Sequence, residues 1–192
     1  MPCGVIAGHR PGIGLHNLRV ERKLFIVTGA PGAGKSATVA ALLNAPTRYL
    51  VFDVDWLAEP ASRLAGRSIY TERSTWPPYA HVWFAVILAA YRNACTPVLF
   101  GPFDKDDLAE YGLPEWCTAV EWLLLDCADD VRETRLSARQ WSPARLADAM
   151  ADAQKLRNTI ADRVDTGMQN PVQTARHVVR WLDRHPQDQD LG

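Results

Sequence analysis

The chain has 192 residues, enough for one domain with a sizeable core, and 47% of them are apolar, an ordinary share for a globular protein. Its 21 basic and 22 acidic residues nearly cancel, which argues against a broad nucleic-acid or membrane-binding surface and leaves room for a local basic pocket. The longest apolar run, Val82 to Tyr91, is too short to span a bilayer and reads as the middle of a buried helix.

Residues 1–22 combine glycines, prolines and little periodicity, and are expected to form an N-terminal arm. The apolar run Leu24–Thr28 predicts a buried strand, followed by a glycine-rich turn and a helix over Ala37 to Leu43. A second strand is expected over Tyr49–Val54, then a polar helix around Leu57 to Leu64. A loop holding Tyr70 and Trp76-Pro77-Pro78-Tyr79 precedes an apolar helix from about His81 to Cys95. Thr96–Phe100 and Ala119–Leu125 read as the third and fourth strands, with a helix opening at Asp129 and Asp130. Ser142-Pro143 is a good cap and first-turn pair for a helix reaching about Asn158. A short strand near Ala161 to Val164 and a helix opened by Asn170-Pro171, with Val172, Ala175, Val179 and Leu182 inward, complete the pattern. Alternating strands and helices predict a three-layer α/β sandwich around a five-stranded parallel sheet, spanning residues 23–185, with a short lid near 139–145 and a tail over 186–192. The cysteines fall at no metal-like spacing and no secretory leader is read, so reduced thiols in a cytoplasmic protein are expected. The five histidines show no ligand spacing.

The chemistry begins at Gly29-Ala30-Pro31-Gly32-Ala33-Gly34-Lys35-Ser36, which satisfies the pattern G-x-x-x-x-G-K-[ST] between a strand and a helix. The glycines let several backbone N–H groups converge on a polyphosphate, and the following helix, from Ala37, points its positive end at the same spot. Lys35 would reach the outer phosphates, and Ser36 would hold Mg²⁺. Parallel sheets gather ligands beyond the carboxyl ends of their strands, so Asp53, Asp55 and Gly101 are expected near this loop. Asp53 would serve the metal and Asp55 would accept a proton from an attacking hydroxyl, the competing reading being that either acid caps the next helix. Arg132, Arg135 and Arg139 share a helix face, either as a solvated surface or as cations for a migrating phosphoryl group, with Arg145 and Arg157 as weaker candidates.

Together, Gly29 to Ser36, Asp53-Val54-Asp55 and Arg135-Leu136-Ser137-Ala138-Arg139 resemble the small P-loop kinases, including adenylate, shikimate and gluconate kinases and the chloramphenicol phosphotransferase group. The resemblance extends from about Leu24 to Leu182 and implies ATP and Mg²⁺ as cofactors. It also implies that Arg135 stacks on adenine, that Arg139 touches phosphates from the lid, and that Asp165-Thr166-Gly167 lines the adenine pocket. Gly101 sits where shikimate kinases carry a glycine run against their substrate, although Pro102 follows it, no acid ends the third strand, and the lid carries Gln140 and Trp141.

The expected function is transfer of the ATP γ-phosphate to a small-molecule hydroxyl or a nucleoside or nucleotide, with Lys35, Asp55 and Arg139 carrying the chemistry. The acceptor is expected between Asp55 and His81, where Arg63, Arg67 and Arg73 would meet an anion and Tyr70, Trp76 and Tyr79 would stack on a flat or sugar-like molecule; solvation and packing are the plainer readings. The near-neutral charge makes nucleic acid an unlikely partner, and a monomer or homodimer is expected. The alternatives are an ATP-binding switch without an acceptor and a kinase acting on a macromolecule end or nucleotide sugar.

Overall fold

The computed structural model describes residues 22–187; Cys3, nearly all of the expected N-terminal arm and residues 188–192 lie outside them. Five parallel strands, β1 (Arg22–Thr28), β2 (Tyr49–Asp53), β3 (Thr96–Phe100), β4 (Cys117–Asp126) and β5 (Arg163–Asp165), lie in the order β2-β3-β1-β4-β5. The register sets Ile26 opposite Leu99 and Trp122, and Asp53 opposite Phe100. All four longer strands therefore end at one edge, together with the turns that follow them.

Alternate residues of β1 feed two separate cores, which is why the strand is apolar throughout. Phe25 and Val27 face α1 (Lys35–Leu43) and α7 (Pro171–Arg184), where Trp181 meets Phe25 edge-on at 5.9 Å between ring centroids. Leu24 and Ile26 face α2 (Asp55–Ala65), α3 (Trp76–Arg92) and α4 (Lys105–Tyr111). A smaller cluster seats α6 (Pro143–Thr159) on Ala30 and Leu124, and α5 (Asp129–Ser137) runs between β4 and the connection to α6.

Several expectations shift. The prolines at 77 and 78 belong to the first turn of α3, where a missing N–H removes no helical bond, so the helix begins at Trp76 and Tyr79 is inside it rather than in a loop. Helix α4 has no counterpart in the sequence reading; Asp104 and Asp107 make a reciprocal capping box at its start, with Asp107 in the place Glu or Gln usually takes. Helix α7 buries Ala175 and Leu182 as expected, with Val178 and Trp181 beside them, whereas Val172 is 52% exposed. The tail also begins later than expected, because the Gln187 amide brackets Lys23, accepting from its N–H at 2.8 Å and donating to its carbonyl at 3.0 Å. Cys95, Cys117 and Cys127 are free thiols, and no helix of the described residues is long and apolar enough to cross a membrane.

Candidate active site

The strand ends are tied together before any ligand is considered. At the end of β1 the Thr28 hydroxyl donates to the Phe103 carbonyl at 2.7 Å, the Gly101 N–H reaches Val27 O at 3.2 Å, and the Val54 N–H reaches Phe100 O at 2.9 Å. These bonds seat the turns after β1, β2 and β3 side by side, as expected of ligand sites in parallel sheets.

In the loop itself Gly32 and Gly34 take φ values of 81° and 87°, closed in practice to other residues. Gly29 is required for a different reason, since a Cβ there would stand 2.5 Å from the Leu125 carbonyl oxygen. No side chain caps α1 and its first turn holds no acid, so the helix presents its starting N–H groups to the loop concavity. This is the geometry that a polyphosphate fits. Lys35 folds back to donate to the Gly29 carbonyl. Burial lowers its ammonium to about 8, opposed by the nearby charges of Asp55 and then Asp53. Ser36 and Ala37 are exposed at the helix start.

The two acids after β2 differ in setting. Asp53 is the last residue of the strand and buried, and its carboxylate accepts from the Asp55 N–H at 3.1 Å. Burial pushes its carboxyl up, that bond working against it. Asp55, just past the expected strand end, is the first residue of α2 and is exposed. The N-cap of α2 is Val54 and no side chain caps it, so neither acid takes the capping position of the competing reading. A hydroxyl at Ser36 and a carboxylate at Asp53 are hard oxygen donors of the kind Mg²⁺ accepts alongside phosphate oxygens. Among the described residues no cluster of three or more His, Cys, Asp or Glu is gathered for a metal.

The arginines separate sharply. Arg132 is fully buried, donating to Pro31 O at 2.6 Å and to the Asp126 carboxylate at 2.5 Å. Arg157 grips the same carboxylate at 2.7 Å and reaches Asp129 and the Cys127 carbonyl, so it anchors β4 to α6 rather than serving the lid. Arg135 donates to Gly32 O at 3.0 Å and to Thr166 O at 2.8 Å, joining the glycine loop to the turn after β5. Thr166 is itself buried, its hydroxyl 2.9 Å from Ala33 O, while the Asp165 carboxylate accepts from the Gly167 N–H at 2.7 Å. Arg139 is exposed in the short turn between α5 and α6, and its charge acts on Lys35. Arg145 stacks on Trp141, 3.9 Å from the ring centroid.

The residues expected on the acceptor do not gather. Arg63 pairs with Glu59 along exposed α2, and Arg67 pairs with Glu72 at 2.7 Å. Tyr79 is 3% exposed and donates its hydroxyl to the Val54 carbonyl, the peptide between Asp53 and Asp55. Trp76 packs edge-on against Phe103 at 6.0 Å. Gly101 is buried, and a side chain there would meet Phe103 at 2.9 Å and Val54 at 3.1 Å rather than open space. The sequence reading missed Asp126, which stands at the carboxyl end of β4 as Asp53 does at the end of β2; the same positional rule would have found it. A cavity of about 790 Å³ lies between α1 and α7 and is lined by neither Lys35, Asp53 nor Asp55.

Removing only the Tyr79 hydroxyl, by Tyr79→Phe, leaves the Val54 carbonyl without its buried donor while keeping the ring in the core. A loss of about 1–3 kcal/mol is expected, read as a lower denaturant midpoint at unchanged slope.

No protein-family model matches the sequence, and no curated protein matches it. Solved structures do match. The sheet order, the glycine loop and the flanking helices are the fold of the small P-loop kinases. An unliganded sugar kinase from Janibacter sp. HTCC2649 is 20% identical with a TM-score of 0.59, covering 84% of this chain and 94% of that one. A tunicamycin resistance protein from Deinococcus radiodurans is 18% identical with a TM-score of 0.61, covering 83% and 94%. Shikimate kinase from Acinetobacter baumannii, in complex with shikimate, is 13% identical with a TM-score of 0.52, covering 87% and 96%. At these identities the likeness is one of fold.

Proposed function

We propose that this chain is an ATP- and Mg²⁺-dependent kinase that phosphorylates a hydroxyl of a small molecule. The observation that carries the reading is the placement of an exposed carboxylate, Asp55, beside a glycine loop whose lysine senses its charge. A lone carboxylate is useful for a hydroxyl acceptor and pointless for a phosphate that is already ionised. In the step, the acceptor oxygen bonds to the γ-phosphorus as the bridging P–O bond to the β-phosphate breaks. The hydroxyl proton passes to Asp55, and the bond electrons leave with ADP.

Lys35 and the N–H groups at the start of α1 would hold the β- and γ-phosphates, with Arg139 adding positive charge from the turn after α5. Arg135 and the turn at Asp165-Thr166 would carry the adenine. Ser36 and Asp53 would hold Mg²⁺, which neutralises charge on the phosphates when bound. ATP consumption measured with and without pooled candidate acceptors tests the reading. Strong stimulation by an acceptor supports it, whereas slow hydrolysis indifferent to every pool would show an ATP-binding switch instead.

The lowered Lys35 ammonium has a pH consequence. In the free protein it is largely neutral above its value of about 8, and nearby phosphate raises it back toward its ordinary range. Nucleotide binding at about pH 9 is therefore expected to take up close to one proton, and binding at about pH 6.5 to take up none through this group. Calorimetry in buffers of different ionisation enthalpy measures the uptake, and Lys35→Met should abolish it.

A further inference from the structure

Beside the glycine loop lies a cavity of about 290 Å³, walled on one side by Gly29–Pro31 and Pro102 and on the other by Arg73, Asp107 and Asp152. Three of its lining residues, Gly29, Ala30 and Pro31, belong to the glycine loop. The Lys35 ammonium is close enough to be among the charges acting on the Asp152 carboxyl, as it is for Asp55. The cavity therefore shares the reacting end of the site, and its charge bears on what can enter.

The cations around it are already matched. Lys155 contacts Asp104 at 2.6 Å and Asp106 at 2.8 Å. Arg73 contacts Glu110 at 3.1 Å and Asp107 at 4.0 Å. Arg63 and Arg67, the residues expected to meet an anionic acceptor, are held by Glu59 and Glu72. Asp152 differs: among the described residues it has no hydrogen bond or ion pair. Burial and its neighbours Asp148 and Asp104 push its carboxyl up, with Lys155 and Lys35 acting against them. An acceptor carrying a carboxylate or phosphate would face Asp107 and Asp152 across a wall whose two cations, Arg73 and Lys155, already pair with carboxylates. A protonated amine would meet a free carboxylate and relieve the repulsion.

We propose that the acceptor is a hydroxylated small molecule carrying a protonated amine, taken in the cavity between the glycine loop and α6 with Asp152 receiving the amine. This rests on the kinase reading and assigns its substrate class. Asp152 is a specificity residue and takes no part in the transfer itself. Its side chain makes no hydrogen bond or ion pair among the described residues, so Asp152→Asn breaks no bond of the fold.

The test uses the full chain with ATP and Mg²⁺ and three acceptor pools on a common hydroxylated frame: amino sugars with aminocyclitols, the parent sugars with cyclitols, and uronates with sugar phosphates. ADP release is expected to rise most with the aminated pool, at least tenfold above the anionic one. Asp152→Asn should raise KM for the active aminated compound about tenfold while leaving KM for ATP unchanged and the parent compound unaffected. Greater stimulation by the anionic pool, or an Asp152→Asn enzyme with unchanged KM for the amine, overturns the acceptor assignment and leaves the kinase reading standing. No stimulation by any pool, with a fluorescent ATP analogue still bound, overturns the kinase reading and the assignment with it.

Discussion

Asp55→Asn is expected to abolish phosphoryl transfer, with a fall in kcat of about 100- to 10,000-fold, while ATP still binds. The substitution is nearly isosteric and lies on an exposed first-turn position of α2, so it creates no cavity and breaks no buried bond. The amide cannot take the hydroxyl proton. Binding should hold because removing the negative charge of Asp55 leaves Lys35 with one less competitor for phosphate. Single-turnover transfer and nucleotide titration on the same preparation separate the effects. Full transfer by the variant would remove Asp55 from the mechanism. Asp53→Asn makes a contrast, since Asp53 is buried and bonded to the Asp55 N–H; weakened Mg²⁺ dependence together with some loss of stability is expected there.

Arg132→Ala is expected to be the most damaging single change to the fold. It strands the Asp126 carboxylate, 9% exposed, with only Arg157 as a charged partner, and takes from the glycine loop the donor on Pro31 O. Breaking a buried pair from one side costs about 3–5 kcal/mol, which lowers Tm by roughly 10 °C in a chain of this size. ATP affinity should fall as well, because the loop rests on the same guanidinium. Arg132→Lys is expected to rescue little, since a single ammonium cannot span Pro31 O and Asp126 together as the planar fork does. Replacing the whole network, Arg132→Met with Asp126→Leu and Arg157→Leu, should recover stability without recovering ATP affinity. That outcome would separate the electrostatic cost from the positioning of the loop.

The sequence by itself determined the local rules of the site. The glycine loop was legible because only glycine takes the φ of positions 32 and 34 and only a lysine and a hydroxyl beside them suit phosphate. The strands were legible because burial on both faces leaves an unbroken apolar run, and α6 and α7 because Ser142 and Asn170 cap them with a proline behind. What these signals share is that each is written within a few consecutive residues.

Only the tertiary structure decided which charges are partnered. Arg132, Arg135 and Arg139 look alike on one helix stripe, yet one is buried against Asp126, one clasps the loop to Thr166 and one is left in the turn. Arg63 and Arg67 look like anion receptors until Glu59 and Glu72 are found beside them, and Tyr79 looks like a stacking surface until its hydroxyl is found on Val54. The energy of a charge or a hydroxyl depends on its surroundings within a few ångströms, and those come from segments distant in the chain. A strand end such as Asp126 becomes informative for the same reason, once β4 is known to lie beside the glycine loop.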